Sequence, residues 1–195
     1  MPSRAESRST FAPISGASAV LLQFLAWMAL LLAADLVTKH WAIGSLTDRF
    51  VGLADGVAMF LVYNTGAAGG VSLGPQTWLI NVVGTALTIL LVAGVVVPLA
   101  HFDRRAPLAM GLVAGGAMGN LASLIGEPRG VPDFLAVRLP EAWLVFNVAD
   151  IGLWLGAGLL VPVIFGLVRV LRREGSKPVP TDDVFGASDH VLPAR

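Results

Sequence analysis

Four long apolar stretches, separated by more polar segments, dominate the pattern of this chain. They cover approximately residues 17–43, 77–100, 106–125 and 143–171, and each is long enough for a transmembrane helix, which needs about 20 residues. The first stretch could instead be a cleaved signal peptide, but the apolar core of such a peptide is shorter, and three further spans follow here. The pattern therefore predicts an all-α membrane protein built as a bundle of four transmembrane helices.

The segment between the first two spans has a different pattern. Residues 44–75 mix β-favouring residues with glycines, which predicts short strands lying at the membrane interface. The end of this segment, from Asn64 to Gly74, is rich in small residues, so its backbone can approach a ligand closely. In the third span Gly111, Gly115 and Gly119 recur every four residues, a pattern that allows close packing of membrane helices.

Composition supports the membrane assignment. The chain has 195 residues, of which 55% are hydrophobic and only 13% are charged, whereas soluble domains carry roughly 25% charged residues. The formal net charge is zero, so the basic face that nucleic-acid binding requires is not expected. The chain has no cysteine and three scattered histidines, and we therefore expect no metal site, no cofactor and no cysteine nucleophile.

The lysines and arginines predict how the chain is oriented. Nine of them lie in the tails at 1–16 and 174–195, in the 101–105 loop and near the end of the fourth span, and four lie on the other side. Because cytoplasmic segments carry the excess of basic residues, both tails are expected to be cytoplasmic. The polar composition predicts a flexible tail at 1–16 and a disordered tail at 174–195. The membrane domain is predicted to cover residues 17–173, with the 44–75 and 126–142 segments outside.

Two aspartates, Asp133 and Asp150, flank the predicted start of the fourth span at its outer end. Ionisable residues at such positions are costly and are candidates for function. Two neighbouring carboxylates share a proton, as in aspartic proteases, where one activates water and the other polarises the peptide carbonyl. Asn147 precedes Asp150 by three residues and could orient it by hydrogen bonding. The spacing is equally compatible with two unrelated aspartates, one capping a helix and one in a loop.

A second pair lies in the last turns of the first span. Asp35 and Lys39 are four residues apart and share a helical face. They could form a salt bridge at the membrane surface with Lys39 reaching outward, or belong to a polar cluster that supports a site. Asn120, near the end of the third span, is expected at the same membrane face as this pair and as Asn64.

Five motifs, in order, make the chain resemble the lipoprotein signal peptidase family, signal peptidase II. They cover most of the chain between Asp35 and Asp150, and they are Asp35-Leu-Val-Thr-Lys39, Asn64-Thr-Gly-Ala-Ala68, Gly115-Gly-Ala-Met-Gly-Asn120, Val131-Pro-Asp-Phe134 and Phe146-Asn-Val-Ala-Asp150. The resemblance implies a four-span bundle with a small extracytoplasmic β-cradle in the bacterial inner membrane. It also implies an aspartyl endopeptidase that removes the signal peptide from a diacylglyceryl-modified prolipoprotein.

The resemblance implies roles for particular residues. Asp133 and Asp150 would form the catalytic dyad near the outer membrane face. The residues that would bind substrate or support the site are Asp35, Lys39, Asn64, Gly66, Asn120 and Asn147. The expected partners are the lipidated prolipoprotein and membrane lipids, and the protein is expected to be a monomer.

The chain departs from the family pattern beyond Asn120. The family has an Asp-Arg pair where this chain has Ser123 and Leu124, and the family arginine resembles a contact to the substrate backbone. Arg129, in the following loop, is a candidate to take its place. Two alternatives follow, namely a catalytically weak paralogue that binds lipidated peptides and a small multi-span transport subunit.

Overall fold

The structure is a computed structural model, and it describes residues 15–65 and 76–175. Within these residues the chain forms four long helices and four strands. The helices are α1 (Ser15–Leu46), α2 (Thr77–Ala100), α3 (Ala106–Gly126) and α4 (Val148–Gly175). The strands are β1 (Val51–Ala54), β2 (Val57–Asn64), β3 (Val131–Arg138) and β4 (Trp143–Phe146).

All four helices are long and apolar enough to cross a membrane. Their outward-facing side chains are mostly large and apolar, as with Leu22, Leu90 and Phe165, each more than 60% exposed. An apolar outer surface is expected for helices that face lipid. The described residues thus confirm the predicted four-helix bundle.

Helix α3 lies at the centre and packs against the other three helices. Its glycines allow this approach. A Cβ atom on Gly111 would lie 2.8 Å from the Phe24 carbonyl oxygen of α1, and one on Gly115 would lie 2.6 Å from the Met28 carbonyl oxygen. A methyl group at either position would therefore push α1 and α3 apart, which agrees with the packing role predicted from the glycine spacing.

The four strands form one antiparallel sheet in the order β1-β2-β3-β4. The sheet packs on the end of the bundle where α1 ends and α4 begins, through Phe134 of β3 and Ala42 and Leu46 of α1. The register of β2 against β3 shifts between Met59 and Val62, so the ladder is irregular beside Asp133. This sheet agrees with the small β-cradle that the resemblance implies.

Several helix bounds differ from the prediction, and α4 ends at Gly175, four residues beyond the predicted end. Helix α1 extends to Leu46, three residues beyond the predicted end. Helix α4 begins at Val148 and not at 143, because residues 143–146 pair with β3 as strand β4. A short apolar run is compatible with either structure, and the pairing partner decides. Most of the two predicted tails lies outside the described residues, although residues 15–16 and 174–175 are helical.

Candidate active site

Asp133 lies in the middle of the sheet, on β3, opposite Val62 of β2. Its side chain is only 4% exposed. Asn147 Nδ2 donates a hydrogen bond of 2.6 Å to Asp133 Oδ1, and Asn64 Nδ2 donates one of 3.3 Å to Oδ2. Two amide donors from different elements therefore hold this carboxyl group.

Asp150 lies in the first turn of α4, where it forms a reciprocal cap with Asn147. The Asn147 backbone N–H donates to Asp150 Oδ2 at 3.1 Å, and the Asp150 backbone N–H donates to Asn147 Oδ1 at 3.0 Å. This is the arrangement of a capping box, with a carboxylate at the positive end of the helix dipole. The predicted hydrogen bond between Asn147 and Asp150 is present.

Asn147 joins the two aspartates. It is fully buried, its side-chain amide binds Asp133, and its backbone amide binds Asp150. Asn120 of α3 adds a second connection, since its Oδ1 accepts from Asn147 Nδ2 at 3.1 Å and its Nδ2 donates to Asp150 Oδ1 at 2.9 Å. Both carboxyl groups thus face one asparagine cluster, which disagrees with the alternative of two unrelated aspartates.

Asp35 and Lys39 complete the buried network from α1. Asp35 Oδ2 lies 2.7 Å from Lys39 Nζ, and Asp35 Oδ1 accepts a hydrogen bond of 2.9 Å from the Ala149 backbone N–H. Lys39 Nζ also donates to Asn120 Oδ1 at 2.8 Å. Lys39 is 3% exposed, so it points into the bundle, and the alternative in which it reaches outward to water is wrong.

The environment of Asp133 favours its protonated form. Burial raises the pKa of this carboxyl group from its ordinary value of 3.8 to about 6, and the negative charge of Asp150 acts in the same direction. The hydrogen bonds from Asn147 and Asn64 and the charge of Lys39 oppose the increase. A carboxyl group with such a pKa, beside a second carboxyl group, can hold a proton while its neighbour is ionised.

Arg129 lies apart from this cluster. It is in the turn between α3 and β3, where its Nε donates to Glu127 Oε1 at 2.9 Å and its guanidinium group lies 4.1 Å from the centre of the Tyr63 ring. The hydrogen bond lowers the pKa of Glu127 and raises that of Arg129, so both stay charged. Arg129 is half-exposed and adjoins the sheet at the residue before Asn64.

The positions that depart from the family pattern have local partners. Ser123 is buried and its hydroxyl group donates to the Gly119 carbonyl oxygen of its own helix at 3.0 Å. The Leu124 carbonyl oxygen accepts from Trp78 Nε1 of α2 at 3.3 Å. Gly66, the remaining predicted site residue, lies outside the described residues.

Two contributors to the site were not predicted. One is the Ala149 backbone N–H, which binds Asp35 across 114 positions of sequence. The other is Gly119, where a Cβ atom would contact the Asp35 side chain. The four-residue glycine spacing was a signal for packing, but only the arrangement of α1 against α3 places Gly119 over the carboxylate.

Four candidate spans, with the carboxyl groups of Asp133 and Asp150 joined by one buried asparagine at one end of the bundle, are typical of a multi-span membrane enzyme of the aspartic type. The family model for signal peptidase (SPase) II matches residues 27–166. The chain belongs to the signal peptidase II family, and it is an aspartic endopeptidase of this type. This result favours neither the transport subunit nor the binding paralogue.

Individual relatives agree with the family. The chain is 39% identical over 157 residues to the lipoprotein signal peptidase of Rhodococcus jostii, covering 74% of this chain and 73% of the relative. It is 36% identical over 144 residues to that of Hydrogenovibrio crunogenus, covering 69% and 81%. A solved bacterial membrane enzyme has the same fold, with a TM-score of 0.60, 19% identity, and coverage of 85% of this chain and 95% of that one.

Proposed function

We propose that Asp133 and Asp150 are the catalytic dyad of this peptidase. The observation that supports the proposal most directly is that one buried asparagine, Asn147, binds both carboxyl groups. In proteins of this family, which process prolipoprotein signal peptides, the dyad would cleave the peptide bond just before the diacylglyceryl-modified cysteine.

Burial and the negative charge of Asp150 raise the pKa of Asp133, and this supports Asp133 as the member of the pair that holds the shared proton when the substrate is bound. Protonated Asp133 polarises the scissile carbonyl group, and Asp150 takes a proton from the attacking water. The water oxygen bonds to the carbonyl carbon, the C–N bond breaks, and a proton passes to the leaving amine. The hydrogen bonds from Asn147 and Asn120 keep Asp150 directed at the water during this step.

The supporting residues have distinct roles in this proposal. Lys39 balances the negative charge of Asp35 and fixes Asn120, while Asp35 holds Lys39 and the first turn of α4. Asn64, which donates to Asp133, is proposed to approach the substrate backbone there, and Gly66 is proposed to bind substrate as well. Arg129, whose guanidinium group lies over the ring of Tyr63 next to Asn64, is the candidate for the contact that the family arginine makes.

The substrate is proposed to reach the dyad from the bilayer. Its acyl chains would lie along the apolar outer surface of the helices, and its peptide would cross the end of the bundle where Asp133 and Asp150 meet. The excess of lysine and arginine in the tails and in the 101–105 loop supports an inner-membrane protein with cytoplasmic termini and a site at the outer face. Membrane lipids are then its surroundings, and the functional unit is proposed to be a monomer.

A cleavage assay tests the dyad. A diacylglyceryl-modified prolipoprotein is incubated with the purified parent, with Asp133→Asn and with Asp150→Asn, and the products are separated on a gel. We expect cleavage by the parent and by Asp55→Asn, an exposed aspartate in the β1–β2 turn of the same sheet, and none by the two dyad variants.

Two results would contradict the proposal. Equal cleavage by all four proteins would remove the assignment of Asp133 and Asp150. An intact substrate in every lane, together with measurable binding of the lipidated peptide, would favour the catalytically weak paralogue.

A further inference from the structure

Three aromatic side chains form a connected group on the sheet, away from the proposed dyad. We call Phe50, Phe60 and Trp143 the aromatic cluster. The rings of Phe50 and Phe60 stack with their centres 5.6 Å apart, and the Trp143 ring meets them edge-on at 6.0 and 5.8 Å. Phe50 immediately precedes β1, Phe60 lies on β2 and Trp143 begins β4, so the cluster joins three segments of the chain.

Within the described residues, the aromatic cluster is only partly covered, since Phe60 is partly buried and the other two rings are exposed. Phe50 is 63% exposed and Trp143 is 36% exposed. Large aromatic rings left open to water on this scale are unfavourable, and a contiguous exposed apolar patch marks an interaction surface. The aromatic cluster is therefore expected to be covered by a partner in the working protein.

The connections of the sheet place it beside the membrane. Phe50 follows the end of α1 by only four residues, which span at most about 14 Å, and β4 ends two residues before α4 begins. Both helices are candidate membrane spans. The sheet is therefore held close to the ends of two membrane helices and cannot move far from the bilayer surface.

Exposed tryptophans mark the same end of the bundle. Trp41, in the last turns of α1, contacts Phe134 of the sheet, and Trp154 of α4 contacts Phe146 of β4. Both tryptophans are about half-exposed. Tryptophan rings collect at the membrane–water interface, so these two exposed rings indicate that the interface lies at the end of the bundle on which the sheet packs.

We propose that the aromatic cluster inserts into the interfacial layer of the bilayer and anchors the sheet to it. The charged residues around the cluster are of both signs, with Asp48 and Arg49 before it and Arg138 and Glu141 beside it. The attraction is therefore apolar and does not require an anionic lipid. Because Asp133 lies on β3 of the same sheet, the anchor fixes the depth of that carboxyl group relative to the lipid. This inference concerns a lipid contact outside the dyad and does not depend on the proposed chemistry.

Site-directed spin labelling tests the anchor, because the chain contains no cysteine. Single variants Phe50→Cys, Asp55→Cys and Leu90→Cys are labelled with a nitroxide and reconstituted into phosphatidylcholine vesicles. Leu90 is a lipid-facing residue of α2 and serves as the bilayer reference, while Asp55 in the β1–β2 turn serves as the aqueous reference. Collision with oxygen and with a water-soluble nickel complex reports the depth of each label.

We expect the ratio of oxygen to nickel collisions at Phe50 to exceed that at Asp55 several-fold, to lie below that at Leu90, and not to change with salt. A ratio equal to that at Asp55 would overturn the anchor. Dipolar broadening of the Phe50 label at low protein density in the vesicle would also overturn it, because a second copy would then cover the cluster.

Trp143 provides a readout that leaves Phe50 in place. The difference in tryptophan fluorescence between the parent and Trp143→Phe reports the emission of Trp143. This conservative variant keeps an aromatic ring in the cluster. We expect brominated phosphatidylcholine to quench that component strongly and aqueous acrylamide to quench it weakly. The reverse order of quenching would contradict the inference even if the labelled Phe50→Cys protein were altered locally.

Discussion

Replacing Asp133 by asparagine is expected to stabilise the protein at neutral pH while it abolishes cleavage. The carboxyl group has a pKa of about 6 in the folded protein and an ordinary value of 3.8. The folded state therefore binds this proton more tightly than the unfolded state does. As a result, the contribution of Asp133 to the free energy of unfolding falls as the pH rises from about 4 to about 6 and is constant above that range.

The size of the effect follows from the two pKa values. The pKa in the folded protein is about two units higher than the ordinary value. Ionised Asp133 therefore lowers the free energy of unfolding by about 3 kcal/mol. Asparagine has a similar shape, carries no charge and can still accept the hydrogen bond from Asn147. It replaces Oδ2 by an amide nitrogen, so the long hydrogen bond from Asn64 is lost at a cost of about 1 kcal/mol.

The net expectation for Asp133→Asn above pH 7 is a gain of about 2 kcal/mol, or roughly 4–8 °C in Tm for a chain of this size. Thermal unfolding in detergent, followed by tryptophan fluorescence at pH 8 and pH 4, measures it. At pH 4 the gain should disappear, since the parent is then protonated at Asp133. Asp55→Asn, at an exposed turn position, is the control and should change Tm at neither pH.

A variant Asp133→Asn that is no more stable than the parent at pH 8 would contradict this reasoning. So would a gain of equal size at both pH values, because a pH-independent change cannot come from the ionisation of Asp133. Either result would mean that the carboxylate is better solvated in the folded protein than its 4% exposure indicates.

Three further substitutions test the surroundings of the dyad. Gly119→Ala should lower both Tm and the cleavage rate, because overpacking against Asp35 costs about 1–3 kcal/mol of stability. Gly84→Ala, on the open side of α2, is the control and should leave both unchanged. Equal Tm values for the two variants would refute the packing argument. Asn147→Ala removes the side-chain donor to Asp133 and the side-chain acceptor of the Asp150 backbone N–H, and it keeps the backbone N–H that donates to Asp150. It should cut the cleavage rate constant at least tenfold at saturating substrate, and a change in KM alone would assign Asn147 to binding. Leu124→Arg restores the cation of the family pattern and should raise turnover or inhibitor affinity; if steady-state kinetics show no change, another group, with Arg129 the candidate, already makes that contact.

The amino-acid sequence was sufficient to predict the helical bundle, because apolar stretches of membrane length can satisfy their backbone hydrogen bonds in lipid only as helices. Periodicity likewise predicted that Asp35 and Lys39 share a face and that Asn147 reaches Asp150, since both pairs lie within one or two turns. These relations are local and depend only on helix geometry. The family motifs added the expected pairing of Asp133 with Asp150, and their spacing alone left it open.

Tertiary structure decided everything that joins distant segments. Residues 143–146 form a strand and not the start of a helix because β3 lies beside them, and no local pattern contains that partner. Lys39 turns inward because Asn120 Oδ1 of α3 accepts a hydrogen bond from its ammonium group. Asp133 meets Asp150 only because the sheet packs on the end of the bundle at the residue where α4 begins. Such contacts depend on how the helices and the sheet pack together, and spacing along one chain does not determine that packing.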